Sequence, residues 1–138
     1  YRPFGSPIES PAGIQGKATQ FVMILDALQL RLLEKIRSDL AGYSVVRSTS
    51  PLDNRAIWLE IFADGIHKGN SCQTLLKKLN INCKEVAGLG NDYNDIDFLD
   101  ICAEAYLVAN APVNLQRHYK LVKSDKEEGF TEFISKVL

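Results

Sequence analysis

The densest run of chemically able side chains is Gly88-Leu89-Gly90-Asn91-Asp92-Tyr93-Asn94-Asp95, with two asparagines and two aspartates in one short stretch. The apolar Glu85-Val86-Ala87 segment precedes it, and the helix-like Ile96-Asp97-Phe98-Leu99-Asp100 follows. A strand that ends in such a loop and restarts as a helix lies where open α/β sheets hold ligands, outside the carboxyl ends of their strands. Carboxylate and carboxamide oxygens at that place suit Mg²⁺, a hard cation that prefers oxygen. The plainer alternative is an Asx-rich turn that caps a helix starting near residue 95. One cap needs only one of the four polar side chains, so their crowding speaks for a site. A dinucleotide-binding fingerprint is excluded, because Tyr93 stands where its third glycine belongs. An EF-hand is excluded as well, since the loop lacks the glycine that the motif requires.

Lys68 is the second candidate, in His67-Lys68-Gly69-Asn70 at the expected start of a helix. A cation there opposes the helix macrodipole. An anionic ligand would be drawn to the ammonium and the helix amides together. Alone, Lys68 reads as a solvated surface lysine; that reading loses ground only when Lys68 is taken together with the 90–95 loop. His67 and His118 are the only histidines, and they assemble no Ser-His-Asp order. Cys72, Cys83 and Cys102 are odd in number and form no Cys-x-x-Cys pair. They are expected to be free thiols filling small buried spaces in a reducing, cytoplasmic setting.

These residues need elements to position them. Residues 1–16 hold three of the five prolines and read as loop. Phe21–Leu25 is a continuous apolar run and an expected strand. Asp26 can cap the helix that follows, whose apolar face is Leu28, Leu32, Leu33, Ile36 and Leu40, with Gly42 as its C′ residue. Strands are expected at 43–47 and 56–62, joined by the turn-forming Ser48–Arg55 link as a long-looped hairpin. This β-α-β-β order predicts a half-exposed sheet with helix on one face.

After Ala63-Asp64-Gly65 the pattern changes to alternating elements. Helices are expected at 69–80 and 95–103, after Pro112, and at the end of the chain. In that last one Phe130, Phe133, Ile134, Val137 and Leu138 fall on one face. Strands are expected at 85–90, 105–109 and 121–122, parallel and covered on both faces.

The 138 residues amount to about one ordinary domain. A hydrophobic fraction of 46% and a charged fraction of 24% exclude a disordered chain. The net charge of −1 gives no footprint for nucleic acid or an anionic membrane surface. No apolar stretch reaches the roughly 20 residues of a membrane span, and no signal-peptide pattern opens the chain. The first residue is Tyr1 and not Met, which reads as a processing or truncation boundary.

The ordered set Glu60-Ile61, Gly65, Lys68-Gly69, Gly90-Asn91-Asp92-Tyr93-Asn94-Asp95 and Ala109-Asn110-Ala111 resembles the haloacid dehalogenase superfamily. It looks most like the sugar-phosphate-type phosphatases with a large α+β cap. The resemblance runs from about residue 17 to the C-terminus, and the stretch from Asp125 to Gly129 also looks like the family's ending. It implies an α/β fold, a partial Rossmann-like parallel-sheet core preceded by the trailing half of a cap domain. Residues 1–64 would be the cap part and 65–138 the C-terminal half of the core.

The resemblance also implies an activity: Mg²⁺-dependent hydrolysis of a small phosphate monoester. Lys68 would bind phosphate, Asn94 and Asn110 would contact substrate, and Asp95 would orient Lys68 or a metal-bound water. Asn91 stands where the commoner motif has the metal-binding aspartate, so Asn91, Asp92 and Asp95 are the expected metal ligands. A larger departure is the nucleophile. The family carries it in an Asp-x-Asp motif ahead of the cap, whereas the only match here is Asp95-Ile96-Asp97. The chain therefore looks like the C-terminal part of a phosphatase, with a missing N-terminal half or a second subunit as partner. The alternative is a non-catalytic binding module that keeps the fold. Three expectations follow from this reading. Lys68 and the loop share one pocket, the 138 residues alone do not hydrolyse phosphate monoesters, and strand 86–89 has an open edge.

Overall fold

Residues 6–7, 10–14, 16–50 and 56–138 are described in the computed structural model. Within the expected 1–16 loop, the described part includes a short 3₁₀ turn at Pro11–Gly13. The elements are β1 (Phe21–Asp26), α1 (Leu33–Asp39), β2 (Tyr43–Thr49), β3 (Ala56–Ala63), α2 (Lys68–Leu79), β4 (Ala87–Gly90), α3 (Ile96–Leu99), β5 (Glu104–Val108), α4 (Val113–Gln116), β6 (Lys120–Val122) and α5 (Gly129–Val137).

They form two sheets. The first is antiparallel with order β1-β3-β2, and the second is parallel with order β4-β5-β6. The change of style falls between Ala63, the end of β3, and Lys68, the start of α2. The expected hairpin is β2 against β3; residues 51–55 of its link lie outside the described residues.

In β3 the alternation sorts the faces. Ile57 and Leu59 are buried against Leu25 and Leu33, with Ile36 and Val45 packed beside them. Trp58, Glu60 and Phe62 point to the opposite face, as the two-residue period requires. Asp26 caps as expected, accepting from Leu28 N at 2.8 Å while Gln29 closes the capping box. The turn it starts is 3₁₀ over Ala27–Leu32, however. At three residues per turn, Leu28 and Leu32 fall out of line with Leu33 and Ile36. Leu28 is accordingly 88% exposed, a correction to the expected apolar face. Gly42, at φ +96°, lies two residues beyond the Leu40 cap and not at C′.

The parallel sheet carries the larger core: Leu99, Tyr106, Leu107, Val108, Ala111, Leu115, Val122 and Phe133. β5 is central, so Tyr106, Leu107 and Val108 are all buried. Two expected elements are shorter than their sequence pattern. Asn82 and Glu85 form a capping box around a 3₁₀ turn at Cys83–Glu85, which delays β4 to Ala87. Residues 100–103 leave the expected 95–103 helix because the chain must turn into β5, where Ala103 N donates to Val86 O at 2.9 Å. On α5, Phe133 is buried and Ile134 and Val137 pack on the core, while Phe130 and Leu138 stay exposed. Among the thiols, Cys72 and Cys102 are half-buried but Cys83 is exposed, against expectation.

Candidate functional site

The 90–95 loop is built around the Asp95 carboxylate. Its Oδ2 accepts from Asn91 N at 2.7 Å and from Asp92 N at 3.2 Å, which ties the loop back on itself. Its Oδ1 meets the Lys68 ammonium in an ion pair at the start of α2. Asp95 is 3% exposed, whereas half of the Lys68 side chain is in solvent. A buried carboxylate with both oxygens engaged is a fixed group, and it fixes Lys68 in turn.

Glycines make this closeness possible. A Cβ on Gly90 would lie 2.8 Å from Asp95 Cβ and 2.9 Å from Leu99. A Cβ on Gly69 would lie 2.7 Å from the Asp97 carbonyl, so α2 reaches α3 only without a side chain there.

Lys68 Nζ also donates to Asn94 Oδ1 at 3.3 Å. That contact orients the carboxamide, and Asn94 Nδ2 donates to no partner among the described residues. Asp92 faces elsewhere. Its Oδ1 accepts from Tyr93 N at 2.7 Å and from Thr49 Oγ1 at 2.9 Å, and its Oδ2 accepts from Thr49 N at 2.5 Å. Asp92 thereby joins the loop to the end of β2. The Arg47 guanidinium adds a second tie, 3.6 Å above the Tyr93 ring.

Lys68 and Asn94 line one cavity of about 400 Å³, with Glu60, Phe62, His67 and Phe98 among its other walls. The volume lies in the range of small-molecule pockets. His67 Nδ1 is 3.0 Å from Asp97 Oδ2. That buried nitrogen has a carboxylate neighbour but no hydrogen-bond partner among the described residues.

Lys68 and Asn94 line the same cavity, as expected, whereas Asp95 is not among its lining residues and meets it only through the ion pair with Lys68. Asn110 is not part of it: its Nδ2 donates to Asp125 Oδ1 at 2.8 Å, and its Oδ1 accepts from Asp125 N at 3.2 Å. The three expected metal ligands differ in what they have left to offer. Both oxygens of Asp95 and of Asp92 already accept hydrogen bonds, whereas Asn91 is exposed and its side chain has no partner among the described residues. Among the described residues no three His, Cys, Asp or Glu side chains converge as a metal cluster. Oxygen donors of this kind have the right chemistry for Mg²⁺, and those of the described residues would make up only part of a shell.

Sequence reasoning missed the structural roles of Thr49, Arg47 and Glu60. Thr49 and Arg47 gave no signal beyond strand propensity. Glu60 gave one, a charged residue between Trp58 and Phe62 on one face of a strand.

A model of the haloacid dehalogenase-like hydrolases matches residues 9–134. A curated Streptococcus pyogenes protein, provisionally named a phosphatase, is 27% identical over 95 residues, which are 68% of this chain and 33% of that protein. A solved Streptococcus mutans structure superimposes with a TM-score of 0.78 at 23% identity, covering 94% of this chain and 48% of the other. A sugar phosphatase described as subclass IIB gives a TM-score of 0.68 at 14% identity, covering 85% and 42%. The chain thus spans about a third of the curated relative and under half of these two structures.

Proposed function

The chain belongs to the haloacid dehalogenase-like hydrolases, and on that premise we propose that it carries the phosphate-binding part of a Mg²⁺-dependent phosphohydrolase for a small phosphate monoester. The observation that carries this reading is the Lys68 ammonium, held by Asp95 and Asn94 in the lining of one cavity.

Phosphoryl transfer needs positioning and charge neutralisation more than covalent chemistry from the protein. Lys68 supplies a fixed cation for the transferring oxygens, and the free Asn94 Nδ2 supplies a donor beside it. Asp95 is a positioning residue, since its carboxylate holds both the ammonium and the loop amides. Mg²⁺, when bound, would neutralise the phosphoryl charge. Asn91 offers the uncommitted oxygen for it, and the remaining ligands and negative charge would come from outside these residues. In the same reading, residues 1–64 are the trailing half of a cap and 65–138 the C-terminal half of the core. An Asp-x-Asp segment of a longer protein, or of a second subunit, supplies the nucleophile.

A second reading, a binding module without catalysis, is favoured by one observation. The chain's sole Asp-x-Asp match, Asp95-Ile96-Asp97, starts on the carboxylate that Lys68 already occupies. Hydrolysis of an aryl phosphate with Mg²⁺ separates the readings. The 138 residues alone should give no enzyme-like turnover, for want of an attacking group. The same chain together with its upstream coding sequence should turn over, and Lys68→Ala should lower that rate by about 10²–10³-fold. An inactive longer protein with an intact fold would favour the module. Turnover by the 138 residues alone, abolished in Lys68→Ala, would place the nucleophile within them.

A further inference from the structure

The cavity above Lys68 has two unlike ends. Lys68 and Asn94 make one end cationic and hydrogen-bond donating. The sheet face turned away from α1 makes the other, where Val46 of β2 lies opposite Glu60 of β3 and Phe62 continues the same row. Ile66 and Phe98 add apolar surface to this side, and His67 and Ser71 also line the cavity. Among the described residues Glu60 is the one carboxylate lining this cavity.

Glu60 Oε1 accepts from the buried Ser48 hydroxyl at 2.9 Å. Among the described residues Oε2 accepts nothing, and the carboxylate forms no ion pair, Lys68 being committed to Asp95. Satisfying one serine hydroxyl requires only a neutral acceptor. A half-buried carboxylate with a free oxygen, flanked by Val46 and Phe62 in the cavity, is a ready acceptor for a donor carried by a ligand.

We propose that Glu60 is the specificity-determining residue of this pocket, selecting phosphate monoesters whose leaving group carries a hydrogen-bond donor, a hydroxyl or an ammonium. This rests on the phosphate reading above: the phosphoryl group sits at Lys68 and Asn94, and the leaving group extends along Phe62 and Phe98 toward Glu60. A leaving group bearing a second anion is rejected, because like charges meet in a cavity with low-dielectric walls.

Calorimetric titration of the 138-residue chain with matched ligands tests it: propyl phosphate, glycerol 1-phosphate, 2-aminoethyl phosphate and 3-phosphoglycerate. The hydroxyl or the ammonium ligand should bind about tenfold tighter than propyl phosphate, a difference of about 1.4 kcal/mol, with 3-phosphoglycerate weakest. Whichever of the two donors ranks first identifies the source. Glu60→Leu should collapse the donor preference, and Glu60→Gln should admit 3-phosphoglycerate. The wild-type ranking needs no variant to fold, so equal affinities there would already overturn the assignment. A ranking unchanged by Glu60→Leu, with binding still lost in Lys68→Ala, would overturn Glu60 and leave the phosphate site standing. Binding indifferent to Lys68→Ala would overturn both.

Discussion

Two aspartates three residues apart in one loop have separate tasks. Asp95 binds inward, to Lys68 and the amides of Asn91 and Asp92, while Asp92 binds outward, to Thr49. Replacing Asp95 by Ala strands those two amides and frees Lys68. A buried unsatisfied donor costs about 1–3 kcal/mol, so Asp95→Ala should lower the denaturation midpoint and weaken phosphate binding together. Thr49→Val removes one charge-assisted bond to Asp92 but keeps the backbone donor. It should destabilise by about 1 kcal/mol in urea unfolding and leave orthophosphate affinity within twofold. A large affinity loss there would mean that Asp92 serves the anion directly. The side-chain types of this site were legible in the sequence. Their partition was not, because Thr49 is 43 positions from Asp92 and only folding brings them together.

Elements whose patterns were strong came out where the sequence put them, including α2, β5 and the β2–β3 hairpin. Several that shifted did so through local capping: the 3₁₀ turns at 27–32, 83–85 and 93–95 each displace a neighbouring boundary, while α3 ends early because the chain turns into β5. Such turns depend on side-chain-to-backbone bonds that periodicity does not register. The close approach of α2 to α3 was illegible for a similar reason, since Gly69 marks it only once the Asp97 carbonyl is seen opposite. Gly69→Ala should therefore lower the melting temperature by several degrees while the far-UV spectrum of the folded chain stays unchanged.

The parallel sheet also carries a pH signature. The Lys120 ammonium, with the Tyr106 hydroxyl, holds the Glu104 carboxyl below the usual carboxylate range. The Lys123 backbone N–H, with Lys136, does the same for Glu132. Both folded values lie below the unfolded ones, so their stabilisation is present above about pH 4.3 and lost as pH falls through the folded values. Tyr119 has the opposite sign, raised by burial and by its bond to Asp100. Its contribution is present below about pH 10 and fades as pH rises further. In thermal melts across pH, Glu104→Gln plus Glu132→Gln should soften the acid side and leave the alkaline side unchanged.

At the scale of the molecule, the antiparallel and parallel sheets meet through a few ties at the 92–95 loop, and each sheet has an open side. Among the described residues β4 pairs with β5 alone, as the sequence led one to expect. On the antiparallel sheet Phe21 and Ile24 of β1 stay more than half exposed. Unpaired edges and exposed apolar strands are association surfaces. Light scattering should detect concentration-dependent self-association of these 138 residues, and a longer protein should suppress it. A strict monomer with slow amide exchange throughout β4 would count against a missing partner strand. No described helix is long and apolar enough to cross a membrane. The central claim, that Lys68 and the Gly90–Asp95 loop form a phosphate site, is tested most directly by following backbone amides and the Lys68 ammonium by NMR during orthophosphate titration with Mg²⁺. Saturable shifts should appear at residues 90–95 and at Lys68, and Lys68→Ala should abolish them. Shifts elsewhere, or shifts at the loop that survive Lys68→Ala, would contradict the claim.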